Sequence, residues 1–256
     1  MMIESHQNEK IKNLTKLISD NRFRKKSGLF VVEGQQENER AILFHFEAVE
    51  FFICESIFKG TLPKSGRTHL ISDKIYEKLA YRGSSEGIIG VYKAQDKTIS
   101  SYKPTTNATV IIVEGVEKPG NLGAILRSCE AFGVEALIVT DVKADFYNPN
   151  VVRSSVGCLF GMNIYQATNE ETYDFLQKNG FNIYTTIMDE SSKNLQTRNF
   201  KIKSAILFGT EHSGLSTFWN GKGQNTLIPM VGSIDSLNLS NAVAITCYEA
   251  LRQKMH

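Results

Sequence analysis

Two kinds of hydrophobic spacing divide the chain. In IKNLTKLI (11–18), Ile11, Leu14, Leu17 and Ile18 recur at helical intervals with the basic residues mostly between them, which predicts an amphipathic helix. LFVVEG (29–34) is an apolar run closed by a glycine and predicts a buried strand. A helix over 37–46, strands at VEFFIC (49–54) and HLIS (69–72), a short helix over 73–80 and a strand at IIGVYK (88–93) complete a small α/β module. DKTISSYKPTTNA (96–108) is polar, holds a proline and loses the periodicity, as a linker would. These breaks predict a first domain over 1–97, a linker over 98–108 and a second domain over 109–256.

Beyond Thr109 the apolar runs become continuous: VIIVEG (110–115), ALIVTD (136–141), FNIYTTI (181–187) and AILFGT (205–210). Such runs mark strands buried on both faces of a parallel sheet, and the intervening segments are long enough for the helices that parallel connections need. The chain closes on a helix over 240–255 with Val243, Cys247, Ala250 and Leu251 on one face. The fold class is therefore α/β in two domains, the second built on a parallel sheet.

Ligands of open parallel sheets bind where strand ends feed loops, and three such places are rich in Gly, Asn and Ser. The first is EGVEKPGNLGAILRSCEAFG (114–133). Pro119-Gly120 predicts a turn, Asn121 an N-cap and Gly133 a helix stop, with Leu122, Ile125, Leu126, Cys129 and Phe132 as the buried stripe. Arg127 falls about 140° from Leu122 at the helical step, away from that stripe. Taken alone, capping accounts for Asn121 and solvation for Arg127. The second is LFGTEHSGLS (207–216), a strand opening into a glycine-bearing loop with one carboxylate, Glu211. The third, LIPMVGSIDSLNLSNAVAI (227–245), gathers Ser236, Asn238, Ser240 and Asn241 before the last helix. One cap would use one of them, so four polar side chains exceed what capping needs.

Composition narrows the chemistry. The chain has 256 residues and a formal net charge of only +2, but residues 1–26 hold Lys10, Lys12, Lys16, Arg22, Arg24, Lys25 and Lys26 against Glu4, Glu9 and Asp20. That local basic excess suits a polyanion. Cys54, Cys129, Cys158 and Cys247 are scattered without metal-ligand spacing, so neither a zinc site nor a disulfide framework is expected, and no metal is assigned. No phosphate loop, GxGxxG fingerprint, GxSxG elbow or HExxH occurs. With no apolar signal core at the start and no membrane-length run, the expectation is a cytoplasmic protein.

The three motifs together, in this order, resemble the SpoU (TrmH-type) branch of the SPOUT RNA methyltransferases. NLGAILR (121–127), FGTEHSGLS (208–216) and IPMVGSIDSLNLSNA (228–242) carry the resemblance. The first half, with SHQNEKIKNL (5–14), FVVEG (30–34) and SSEGIIGVY (84–92), is similar to the RNA-binding domain related to ribosomal protein L30e. Departures are Lys118 where an Asp is frequent, His212 where a small residue is common, and Leu239 in place of Val.

The resemblance implies a C-terminal trefoil knot, a homodimer with cofactor sites near the subunit boundary, and S-adenosylmethionine as methyl donor to a ribose 2′-hydroxyl. It marks Asn121, Arg127, Glu211, Ser236 and Asn238 as the catalytic set. It assigns Phe208, Gly209, Thr210, Gly214, Ile228, Met230, Leu237 and Asn238 to the cofactor, and the seven basic residues of 10–26 to RNA. The two-domain layout points to 23S rRNA, with tRNA, or a catalytically silent RNA-binding assembly factor, as alternatives.

Overall fold

The computed structural model describes residues 2–63, 65–81, 86–141, 145–210, 213–234 and 236–255. The chain forms two compact units: residues 1–95 with 145–161, and residues 96–144 with 162–256.

In the first unit, helix α1 (Glu9–Ser19) buries Ile11, Leu14 and Leu17, the stripe its spacing predicts, and Asn8 caps it by accepting the Lys10 N–H. A second helix, α2 (Asn21–Ser27), follows at once, capped by Asp20 and stopped by Gly28 at φ 65°. Its seven residues are too few for a hydrophobic period, which is why the pattern did not reveal it. Strand β1 (Leu29–Glu33), helix α3 (Gln35–Leu43), strands β2 (Ala48–Ile53) and β3 (Arg67–Leu70), helix α4 (Asp73–Leu79) and strand β4 (Ile88–Lys93) complete the module. Its sheet runs β1-β4-β2-β3, antiparallel except for the parallel β2–β3 pair.

The second compact unit is not one continuous stretch of chain. Residues 145–161, with helices α6 (Pro149–Ser154) and α7 (Cys158–Gly161), belong to the first unit. The Phe30 ring stacks 4.3 Å from Tyr147, and Arg40 Nε donates to the Gly157 carbonyl at 3.1 Å. The polar stretch read as a linker is also packed rather than solvated. Ile99 and Tyr102 are buried in the core of the second unit, and the Tyr102 hydroxyl donates to Glu135 Oε1 at 2.8 Å.

The second unit holds strands β5 (Thr109–Glu114), β6 (Ala136–Thr140), β7 (Asn163–Gln166), β8 (Asn182–Thr185), β9 (Lys193–Asn194), β10 (Ser204–Phe208) and β11 (Gln224–Leu227). They pair as one parallel sheet in the order β7-β6-β5-β10-β8-β11-β9. The four central strands β5, β6, β8 and β10 are the continuous apolar runs. Strands β7 and β11 read NIYQ and QNTL and β9 has two residues, so they carry no pattern to detect. Helices α5 (Pro119–Ala131), α8 (Asn169–Lys178) and α9 (Leu239–Met255) flank the sheet, and α5 packs on α9. There the Cys129 thiol is hydrogen-bonded to Cys247 and buried, which holds its pKa well above the usual thiol range and leaves it a packing group.

Candidate functional site

The order of strands reverses between β5 and β10, so the loops leaving these neighbours open a crevice at the carboxyl edge of the sheet. The loop after β10 bonds to itself: Thr210 and Gly214 exchange backbone hydrogen bonds at 3.0 and 3.1 Å, and the Thr210 and Ser213 hydroxyls lie 2.7 Å apart. A side chain at Gly209 would overlap the backbone of Gly214 and Leu215, so only glycine lets the loop close this tightly.

Beside this loop lies a cavity of about 390 Å³, within the range of small-molecule pockets. Phe208, Gly209, Thr210, Gly214, Ile228, Met230 and Leu237 all line it, seven of the eight positions assigned to a cofactor. Ser236, expected in the catalytic set, lines it as well. Thr186, Met188, Thr226, Leu227, Leu239 and Ala242 complete the wall and were not foreseen. The wall is mostly apolar and suits a flat organic ring; of its hydroxyl-bearing members, Thr186 and Thr226 donate to the Leu207 and Gln224 carbonyls at 2.8 Å.

Asn238 stands off the cavity wall. Its Oδ1 accepts from the Ser240 N–H at 3.0 Å and the Ser240 hydroxyl at 2.6 Å, so it does act as a cap at the start of α9. Its Nδ2 also donates to Asn121 Oδ1 at 3.3 Å, joining the first and third motifs. Asn121 is not the cap expected of it. Helix α5 begins two residues earlier, with Lys118 at the cap and Pro119 in the first turn, which leaves the Asn121 side chain for Asn238. Arg127 lies one face over, exposed, with no hydrogen bond or ion pair to any described residue. Glu211, the remaining member of the expected catalytic set, lies outside the described residues, as does His212.

A residue absent from the expected set sits at the end of β5. Glu114 is 5% exposed and accepts the Ser216 N–H at 2.8 Å, the Ser216 hydroxyl at 2.7 Å and Asn169 Nδ2 at 2.5 Å. A carboxylate closing an otherwise apolar strand was the signal for it. Glu114 and Ser216 also border a second cavity of about 610 Å³ whose rim bears Asp141, Glu170 and Glu171. Its acidity makes it a poor host for RNA phosphate.

The basic set of the first unit needs one correction. Lys12, Lys16, Arg22, Lys25 and Lys26 are exposed, and Lys10 is half-buried 4.0 Å from Glu50. Arg24, by contrast, is buried: Nε bonds Asp145 Oδ2 at 2.7 Å and Nη1 donates to the Leu17 and Ile18 carbonyls at 2.7 and 3.2 Å. Buried, with Nε and Nη1 engaged within the fold, it is withdrawn from the RNA-facing set. Among the described residues no cluster of three His, Cys, Asp or Glu could hold a metal, and no helix is long and apolar enough to cross a membrane.

Two family profiles match the chain. Residues 108–248 match the profile of the SpoU rRNA methylase family, and residues 8–90 match that of the MRM3-like substrate binding domain. The chain is 35% identical over 151 residues to the 23S rRNA (uridine(2479)-2′-O)-methyltransferase of Streptomyces viridochromogenes, 57% of this chain and 53% of that protein. To a TrmH-family protein of Staphylococcus epidermidis it is 34% identical over 154 residues, 59% of this chain and 61% of that one. These two alignments thus span little more than half of each relative. The 23S rRNA (guanosine(2553)-2′-O)-methyltransferase RlmP of Bacillus subtilis matches over 96% of this chain and 97% of its own, at 25% identity. A crystal structure of an RNA 2′-O ribose methyltransferase superposes over 100% of both chains with a TM-score of 0.87 and 32% identity. An AdoMet-bound rRNA methyltransferase from Sinorhizobium meliloti shares the fold, with a TM-score of 0.90 over 98% of this chain and 97% of that one, at 23% identity.

Proposed function

The chain belongs to the SpoU rRNA methylase family, and from that premise we propose that it methylates a ribose 2′-hydroxyl of 23S rRNA with S-adenosylmethionine as donor. The observation that carries the reading is the cavity beside the Thr210–Gly214 loop, walled by residues from the second and third motifs and adjoining the Asn121–Asn238 pair. Apolar walls from Phe208, Ile228, Met230 and Leu237 suit an adenine ring, and Ser236 offers a hydroxyl to the polar remainder. Bound there, S-adenosylmethionine would supply an activated methyl group.

The chain's own residues must then orient a ribose oxygen and stabilise the negative charge it develops. Arg127 suits the stabilising role, because it stays charged, its planar fork can also grip the adjacent phosphate, and it is exposed. A guanidinium resists deprotonation, so the proton leaves to another group. Asn121 and Asn238 fix the approach of α5 to the third-motif loop, Ser236 lines the donor cavity, and Glu211 of the second motif completes the proposed catalytic set. The exposed lysines and Arg22 of α1 and α2 supply salt-sensitive phosphate contacts.

The protein works as a homodimer in the cytoplasm. Tyr248 and Ile245 are exposed on α9, with the Phe132 ring 5.8 Å from Tyr248, and they give the α5–α9 pair an exposed apolar patch. The C-terminal trefoil knot is part of the same reading, supported by the insertion of β10 between two strands that precede it in the chain. The test is calorimetric titration with S-adenosylmethionine, followed by label transfer to separated 23S rRNA, 16S rRNA and tRNA. Binding with transfer to 23S rRNA is expected. Transfer to tRNA instead would reassign the substrate, and absence of cofactor binding would leave an RNA-binding assembly factor.

A further inference from the structure

We infer that Glu114 is a positioning residue for the donor site, a clamp that holds the second-motif loop in its cofactor-lining shape. This rests on the function proposed above. Glu114 ends β5, and its carboxylate meets three donors: the Ser216 N–H, the Ser216 hydroxyl and Asn169 Nδ2. Ser216 is the far end of the loop whose near end, Gly209, Thr210 and Gly214, lines the 390 Å³ cavity. The near end is pressed on the same strand terminus. Gly115 has φ 65°, and a Cβ there would come within 2.8 Å of Thr210 Cγ2. The loop is therefore hydrogen-bonded at its far end by Glu114 and closely packed at its near end on the next residue, Gly115, just past β5.

The chemistry requires an acceptor-only group. Three donors converge on Glu114, and a buried donor left unmatched carries its full desolvation penalty. A glutamine of the same shape would turn an NH2 toward at least one of those donors. The Glu114 charge forms no ion pair among the described residues, so these hydrogen bonds are its solvation there. Its side chain does not line the donor cavity, so any influence on cofactor binding passes through the loop.

The experiment compares the full chain with Glu114→Gln, Ser216→Ala and the double variant, and uses Arg24→Gln as a control that is destabilised elsewhere. Two readouts are taken: hydrogen exchange of segment 209–216 without cofactor, and calorimetric affinity for S-adenosylmethionine. Glu114→Gln is expected to speed exchange in that segment and to weaken cofactor binding roughly tenfold. Ser216→Ala should weaken it less, because the backbone donor remains. The double variant should lose less affinity than the product of the two single losses, since both act on one contact. Arg24→Gln should leave both readouts unchanged. If Glu114→Gln fails to fold, Ser216→Ala alone decides, and unchanged exchange and affinity in it overturn the inference. Folded variants with wild-type exchange, or with independent multiplicative losses, overturn it too. Failure of the wild-type chain to bind the cofactor would refute the proposed function instead, while the exchange data would still report on the clamp.

Discussion

Helices α2 and α5 each carry an arginine that the hydrophobic pattern leaves unassigned, and the two side chains end in opposite surroundings. Arg24 is buried, with Asp145 and two carbonyls occupying its fork, whereas Arg127 is exposed and unpartnered among the described residues. The difference lies in what covers each helix. For α5, the partner is its own sheet and α9, so the stripe of Leu122, Ile125, Leu126 and Cys129 marks the inward face and Arg127 is outward by geometry. For α2, part of the covering comes from Asp145, 121 residues further along the chain. A cationic residue in a basic run is thus a reliable surface charge only when every element packing on its helix is known.

The comparison can be broken most sharply on stability. Arg24→Gln strands the Asp145 carboxylate, 10% exposed, without its cation, and should cost about 3–5 kcal/mol of unfolding free energy in urea. The same change at Arg127 should stay within about 0.5 kcal/mol, as for surface positions without partners. Equal shifts at the two sites would contradict the assignment of one arginine to structure and the other to function.

Activity should reverse that ranking. Arg127→Lys keeps the charge and loses the planar fork, so methylation should fall about a hundredfold or more while cofactor affinity barely changes. Turnover near wild type would remove Arg127 from the mechanism. A mixture of Arg127→Ala and Asn238→Ala chains sharpens the point. If Arg127 serves the partner subunit, exchanged heterodimers hold one intact site and the mixture should regain up to about a quarter of wild-type activity. Tagged heterodimers as inactive as the single variants would place Arg127 in its own subunit's site.

The smallest expected effect lies on the basic face. Replacing Lys12, Lys16, Lys25 and Lys26 with Gln should flatten the salt dependence of RNA affinity by about one unit of slope for each phosphate no longer neutralised. An unchanged slope in filter binding would make these helices a solvated face only.

How far the sequence carried the argument follows from the range of the interactions. Strands β5, β6, β8 and β10 were legible because burial on both faces leaves a continuous apolar run. Strands β7, β9 and β11 were not, because short sheet-margin strands need little apolar content. Seven of the cofactor positions came from resemblance in the motifs, and the cavity brings them together. Asn121 was misplaced as a cap, since Pro119 moves the helix start two residues back. The excursion of 145–161 to the first unit, and with it the fate of Arg24, depends on pairings across more than a hundred residues that no local pattern encodes. Glu114 was visible as a charge ending an apolar strand, but its partners Ser216 and Asn169 were not.

The most direct test of the account is the position of the transferred methyl group. Wild-type protein is incubated with methyl-labelled S-adenosylmethionine and unmodified 23S rRNA, and the product is digested and resolved by mass spectrometry. The account predicts label in one 2′-O-methyl nucleoside, visible also as a dinucleotide resistant to alkaline cleavage. Label on a base, with the ribose unmodified, would contradict it.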